Sequence, residues 1–327
     1  MRAVEASETR YVCAVDIGGT KIAVAIMACD GRVVPKAVYE AEVPTLAHEG
    51  GEAVYQRIEA AVLAAVAAAP GPAAGVGVGS AGVIDPRTGC VAYANEIMPG
   101  WTGIELAPRL AAATGLPVAA LGDVHAHALG EARWGAGRGR ESVLCMGVGT
   151  GIGGAYVVGG QVLRGFHGAA GHMGHIESIS AAGRACACGR AGHVESVASG
   201  TSIGRLFDER YGRVHTERPS VGRDVAELAQ AGDERALAVV HEAGFALGAS
   251  LGSLANILDP ELIVLSGGVV HGMDGAGEHD GPWHEALMEG YASQALDPLL
   301  AAEIVDGALG GLAPLVGAAE HLLDSLS

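Results

Sequence analysis

Two apolar, β-branched runs, Tyr11 to Val15 and Ile22 to Met27, are separated only by Asp16-Ile17-Gly18-Gly19-Thr20-Lys21. So short a connection predicts an antiparallel β-hairpin closed by a glycine turn. Adjacent glycines also let a ligand approach the main chain, because no Cβ bars the approach or the dihedrals. The neighbouring residues have chemistry suited to such a ligand. Asp16 can hold hydrated Mg²⁺, while Thr20, Lys21 and the amides of Gly18 and Gly19 can meet phosphate. The six residues are equally consistent with an ordinary Gly-Gly turn.

A second glycine cluster, Gly149-Thr150-Gly151-Ile152-Gly153-Gly154, joins a strand at Ser142 to Val148 to another at Ala155 to Val158, and Gly159-Gly160 turns the chain again. Around these hairpins strands alternate with helices. Val33 to Glu42, Gly75 to Gly79, Leu116 to Gly122 and Leu262 to Leu265 read as strands. Gly51 to Ala69 reads as a helix with Val54, Ile58, Val62 and Val66 on one face. Asp123 leads into an Ala-rich helix ending at Trp134; Glu234 to Leu258 and Gly310 to Leu323 are further helices. The piece His271 to Gly281, rich in Gly, Asp and His, reads as a disordered or insertion loop. This alternation predicts an α/β class.

Several functional classes are excluded. A length of 327 residues suggests about two domains, and 50% hydrophobic residues suffice for sizeable cores. A net charge of −17 opposes nucleic-acid binding. No uninterrupted apolar run reaches the roughly 18 residues of a membrane span, so no membrane partner is expected. Met1 to Arg10 is polar and charged, which predicts no secretory signal and a soluble, cytoplasmic protein. Gly77-x-Gly79-x-x-Gly82 and Gly149-x-Gly151-x-x-Gly154 match the dinucleotide-binding spacing, but neither runs from a strand into a helix, and no Walker A sequence is present.

Cys13, Cys29, Cys90 and Cys145 stand singly in apolar surroundings and read as small core residues. Cys186 and Cys188 differ. With His175 upstream and His193 downstream they supply four nitrogen and sulfur donors on a glycine-rich loop, which matches a closed, structural Zn²⁺ site. The alternative is a pair of reduced thiols in a mobile loop.

In this order, the motifs resemble those of the ROK family (repressors, open reading frames and sugar kinases) within the actin-like, hexokinase-like ATPases. Asp16 to Lys21 is similar to the family's first phosphate loop, and Gly149, Thr150 and Gly151 to its second. Residues 168–175 and 186–195 resemble its zinc and sugar signature, and Asn256 to Val269, with Gly267 and Gly268, its adenosine-binding segment. The resemblance implies a two-lobed fold of ribonuclease H-like lobes with a zinc loop. The expected division is a small lobe, 1–122 with the terminal helix 310–327, and a large lobe, 123–309. Only ten polar residues precede the first strand, so the DNA-binding domain of the repressor branch is not expected.

The implied reaction is transfer of a phosphoryl group from ATP·Mg²⁺ to a sugar hydroxyl, with Asp123 as base. Gly82, Asn95, Gly122, His172, His175 and Glu195 are the implied sugar contacts. An Asp between a strand and a helix is otherwise a common N-cap. Relatives that act on glucose carry Asn at position 122 and Glu at 172, where this chain has Gly and His, while His193 replaces a third zinc-binding cysteine. The first two departures imply a changed substrate, such as an aminosugar, with kanosamine as the candidate. Ordinary glucokinase activity and a non-catalytic sugar sensor are the alternatives. Family members are often dimers, so a homodimer is expected.

Overall fold

The computed structural model describes residues 9–95, 97–275 and 280–327; the expected insertion at 271–281 thus lies partly outside the described residues. The chain forms two compact units. The first runs to Gly139 and adds 157–171 and 308–327, and the second comprises 140–156 and 172–307. In chain order the first unit begins with β1 (Arg10–Ile17), β2 (Lys21–Cys29), β3 (Lys36–Pro44), α1 (Gly51–Ala67) and β4 (Ala73–Ser80). It continues with β5 (Val83–Ile84), β6 (Val91–Tyr93), α2 (Leu106–Thr114), β7 (Val118–Gly122) and α3 (Asp123–Trp134). Then come β8 (Ser142–Val148), β9 (Ile152–Val158), β10 (Gln161–Val162), α4 (Glu195–Ala198), α5 (Gly200–Tyr211) and α6 (Gly222–Gln230). The remainder is α7 (Glu234–Leu258), β11 (Leu262–Ser266), α8 (Pro282–Gln294), β12 (Glu303–Asp306) and α9 (Ala313–Ser325).

Two five-stranded sheets have the same plan, with orders β3-β2-β1-β4-β7 and β10-β9-β8-β11-β12. Each starts from a hairpin and adds parallel strands beside its first strand: β4 and β7 in one sheet, β11 and β12 in the other. Parallel addition requires a crossover, and the intervening helices supply it. β1 and β2 show why both faces are apolar. Cys13, Val15, Ile17, Ile22, Val24 and Ile26 pack with Val54, Tyr55, Ile58 and Val62 of α1. Val12, Ala14, Ala25 and Met27, pointing the other way, pack with Leu315, Val316, Ala319 and Leu322 of α9. The terminal helix therefore closes the first unit.

The break between units falls after 139 rather than after 122. α3 cannot leave the first unit because it lies directly on α9, where a side chain at Gly317 would collide with the Ala126 carbonyl. Glu131, fully buried on α3, ties this region together. Its carboxylate accepts from the amides of Ala136 (3.1 Å), Ala308 (2.9 Å) and Leu309 (2.8 Å). Glu131→Ala strands three amides and should lower stability by roughly 3 kcal/mol or more, measured by urea unfolding. A loss below about 1 kcal/mol would show that water replaces the carboxylate.

In the second unit α7 is the central helix. It is long and apolar enough, by length and composition, to cross a membrane, yet Val239, Val240, Ala243, Leu247 and Leu251 are buried in the core against Trp283, Leu287 and Tyr291 of α8.

Candidate active site and metal centre

The parallel strands β1, β4 and β7 end together, and ligands of α/β sheets bind at such carboxyl ends. Asp16 pairs with Gly79, and Ser80 with Gly122, so Asp16, Gly82, Gly122 and Asp123 gather at one edge of the first unit. Burial pushes the Asp16 carboxyl up to about 7; the negative charge of Asp123 adds to this and Lys21 opposes it. Two carboxylates this close to one another suit a site completed by a cation. Asp123 is the first residue of α3 and Gly122 holds the N-cap position, so Asp123 is not the cap; its Oδ1 accepts from the Val124 amide at 2.8 Å.

The first turn is held from beneath. The Gly18 amide donates to the Lys21 carbonyl (3.0 Å), the fully buried Thr45 hydroxyl donates to the Gly18 carbonyl (2.7 Å), and the Thr45 amide donates to Thr20 O (2.9 Å). Thr20 and the two glycines are thereby left facing outward on a rigid base. Lys21 Nζ rests 2.8 Å from Glu42 in a largely exposed ion pair, an interaction weak enough for a phosphate to displace. Asn95 is exposed, its Oδ1 accepting from the Ile97 amide at 3.1 Å.

His125 was not foreseen. It is buried two residues beyond Asp123, and its Nε2 lies 2.7 Å from the Ala170 carbonyl. A Cβ at Gly122 would sit 3.0 Å from its Nδ1. The imidazole thus fills the space that a side chain at 122 would need. An apolar-periodic helix gives no sign of that, because the contact depends on where β7 meets α3.

In the second unit β8 and β11 likewise end together. The Gly149 amide donates to the Gly151 carbonyl at 2.9 Å, closing the second turn, and the Gly200 amide donates to Gly149 O at 2.8 Å. Gly267 has φ +104°, and any side chain there would collide with the Val148 carbonyl. A cavity of about 400 Å³ follows, lined among others by Gly149, Thr150, Gly200, Gly222, Arg223 and Gly268. The N-termini of α5 and α6 both border it, and one arginine adds positive charge. Helix N-termini with glycine walls and a guanidinium suit a nucleotide's phosphates. Gly149, Thr150 and Gly268 were expected here; Gly200, Gly222 and Arg223 were not.

His175, Cys186, Cys188 and His193 converge, their ligand atoms all lying within 4.8 Å of one another. Cys186 Sγ is 3.5 Å from His175 Nδ1, and Cys188 Sγ is 3.2 Å from His193 Nδ1. Tetrahedral Zn²⁺ with ordinary Zn–S and Zn–N bonds puts sulfur and nitrogen about 3.5 Å apart, so the donor set fits that ion. Burial lowers the pKa of His175, keeping it a neutral donor, and pushes the Cys186 thiol up to about 11, so a thiolate there calls for a cation. His172 stacks on His175, with ring centroids 6.0 Å apart. Glu195 lies beside the cluster, its Oε1 3.8 Å from Cys186 Sγ.

Comparison with known proteins identifies the family. The ROK family pattern matches residues 12–323. A glucokinase of Halalkalibacterium halodurans is 36% identical over 272 residues, covering 80% of this chain and 81% of the relative. The crystal structure of a ROK hexokinase from Thermus thermophilus superposes with a TM-score of 0.81 at 35% identity, covering 97% of this chain and 99% of that one. A ROK family glucokinase from Streptomyces griseus, in complex with glucose and AMPPNP, gives a TM-score of 0.77 at 30% identity, with coverage of 95% and 98%. With a pattern that spans nearly the whole chain, two sheets of one plan each ending in a glycine turn, and a Cys/His cluster beside the second, this protein belongs to the ROK family.

Proposed function

We propose that this protein is an ATP-dependent kinase that phosphorylates the 6-hydroxyl of a modified hexose, an aminosugar such as kanosamine being the leading case. The observation that carries the kinase reading is the pairing of Asp16 with Asp123 at the carboxyl edge of the first sheet. One carboxylate is placed for a cation and the other for a proton. Asp123 takes the proton of the attacking hydroxyl, while Asp16 orients the metal-bound phosphates. The turns at Gly18-Gly19-Thr20 and Gly149-Thr150-Gly151 offer amides to the phosphate oxygens, and Lys21 leaves Glu42 to join them. Mg²⁺, when bound, neutralises charge on the β- and γ-phosphates. His175, Cys186, Cys188 and His193 would hold Zn²⁺, whose part is to fix the loop. A sensor that had lost catalysis would have no need of Asp123 or of two phosphate turns.

Substrate choice rests on Gly122 and His172. A buried site built for one pattern of hydroxyls rejects another, since unmatched polar groups are costly. The second reading, ordinary glucokinase activity, is favoured by the glucokinases among the relatives. ATP consumption measured over a panel of hexoses and aminosugars separates the two. Glucose should be the poorer substrate; glucose used as well as any aminosugar sinks the modified-hexose reading. Gly122→Asn with His172→Glu should shift kcat/KM toward glucose by about 10-fold or more. Because Asn at 122 presses on His125, the shift should be fullest when His125→Asn is added.

A further inference from the structure

The residues of the Cys/His loop do more than frame a candidate metal site: both arms of the loop grip the second phosphate turn at one residue, Ile152. On one side Glu195, two residues after the ligand His193, accepts from the Ile152 amide through Oε2 at 2.8 Å. On the other side Gly174, immediately before the ligand His175, lies so close to Ile152 that a Cβ there would collide with its carbonyl. The same Oε2 sits 2.8 Å from where a Cβ on Gly151 would be, so the carboxylate also lies against the turn itself. Beyond Glu195 the short helix α4 leads to Gly200, whose amide donates to Gly149 O at 2.8 Å. Both ends of the 149–152 turn are therefore fastened to the segment that leaves the metal cluster.

We propose that Glu195 is a positioning residue that transmits the order of the Cys/His loop to the second phosphate turn, so that nucleotide affinity, and not sugar affinity alone, depends on the metal. This rests on the kinase reading. The physical reason is preorganisation: a turn whose amides must face phosphate oxygens binds well only if its end residues are fixed before the ligand arrives. Glu195 fixes the Ile152 amide with a charge-assisted bond, among the stronger kinds of hydrogen bond. Its other oxygen points to Cys186, so the carboxylate spans the two sites.

Calorimetric titration with AMPPNP and Mg²⁺, without sugar, tests this on the full-length, metal-loaded protein. Glu195→Ala should weaken AMPPNP binding by about 10-fold or more, as loss of a charged hydrogen bond does. Glu195→Asp, whose shorter side chain cannot reach the Ile152 amide, should weaken it similarly. Glu195→Gln, whose amide oxygen still accepts from Ile152, should stay within about threefold of wild type. Stripping the metal from wild type should weaken AMPPNP as much as Glu195→Ala does, and stripping it from Glu195→Ala should add little, since both act through one link. Metal content and a melting curve taken on each variant separate a folding failure from a positioning effect. AMPPNP affinity unchanged in Glu195→Asp, or in the stripped wild type, overturns the proposal. If the wild type itself fails to bind AMPPNP, the kinase reading falls instead.

Discussion

Asp123→Asn lowers kcat by roughly 10²- to 10⁴-fold, the usual worth of a positioned general base, while folding and AMPPNP binding persist. Asn retains the oxygen that accepts from the Val124 amide, and its position at the start of α3 disturbs no cap, because Gly122 occupies that place. The substitution removes a carboxylate at this edge able to take a hydroxyl proton without also serving the metal. It has a second consequence. Asp123 contributes to the raised pKa of Asp16, so its neutralisation lets Asp16 ionise at lower pH. In wild type, binding of Mg²⁺ and AMPPNP should strengthen as pH rises through about 7, where Asp16 becomes a carboxylate, and in Asp123→Asn the rise should come earlier. The effect on stability has the opposite sign. A buried acid with a raised pKa favours the fold while protonated, so the ligand-free protein should lose stability as pH climbs from the ordinary 3.8 toward about 7. Steady-state rates measured by ATP consumption, with affinity from calorimetry across pH, read both effects. A variant that retains most of its activity refutes Asp123 as the base.

Cys186→Ser should empty the metal site and loosen everything the loop supports. Protein purified without chelator should carry one Zn²⁺ per chain, and the variant none. A loss of about 3 kcal/mol would lower the melting temperature by roughly 4–5 °C. Sugar KM should rise too, because His175 and Glu195 lie in or beside the cluster. The four donors come from two short, glycine-rich segments with only brief local pairing, Glu177 with His193 and Ala185 with Ala191. With so little regular pairing in these segments, bound metal would supply part of their order. Elemental analysis that finds no zinc in the wild-type protein would sink this assignment.

Local rules made much of the fold legible in the chain. Both hairpins, the helix over 51–67 and the long helix 234–258 follow from periodicity and glycine turns. Boundaries slipped where a side chain answers to distant contacts. β3 starts at Lys36 rather than Val33, one residue after Pro35, which has no amide to give the ladder. β9 starts at Ile152, three residues before the expected Ala155. Its glycines have poor strand propensity, but at Gly154 the close approach of the Cys145 carbonyl and of Met173 leaves no room for another residue. α2, α5, α6 and α8 escaped notice because each is short or only weakly patterned.

The candidate site divides along the same line. Residues within one turn or one loop stood out as candidates from the chain alone: Asp16 with Gly18 and Gly19 as a glycine turn, and Cys186, Cys188 and His193 as a donor set, whereas the role proposed for Asp123 came with the family resemblance. Turn chemistry and ligand spacing are properties of a few consecutive residues, so reading them requires no fold. What joins Asp16 to Asp123 is the parallel register of β1, β4 and β7, in which Asp16 meets Gly79 and Ser80 meets Gly122. What places His125 against Gly122, Glu195 on Ile152, and α3 with the first unit is packing between segments far apart in the chain. No local pattern encodes those contacts. They arise because burying two apolar faces of each sheet at once leaves few ways to stack the elements, and that choice belongs to the whole molecule.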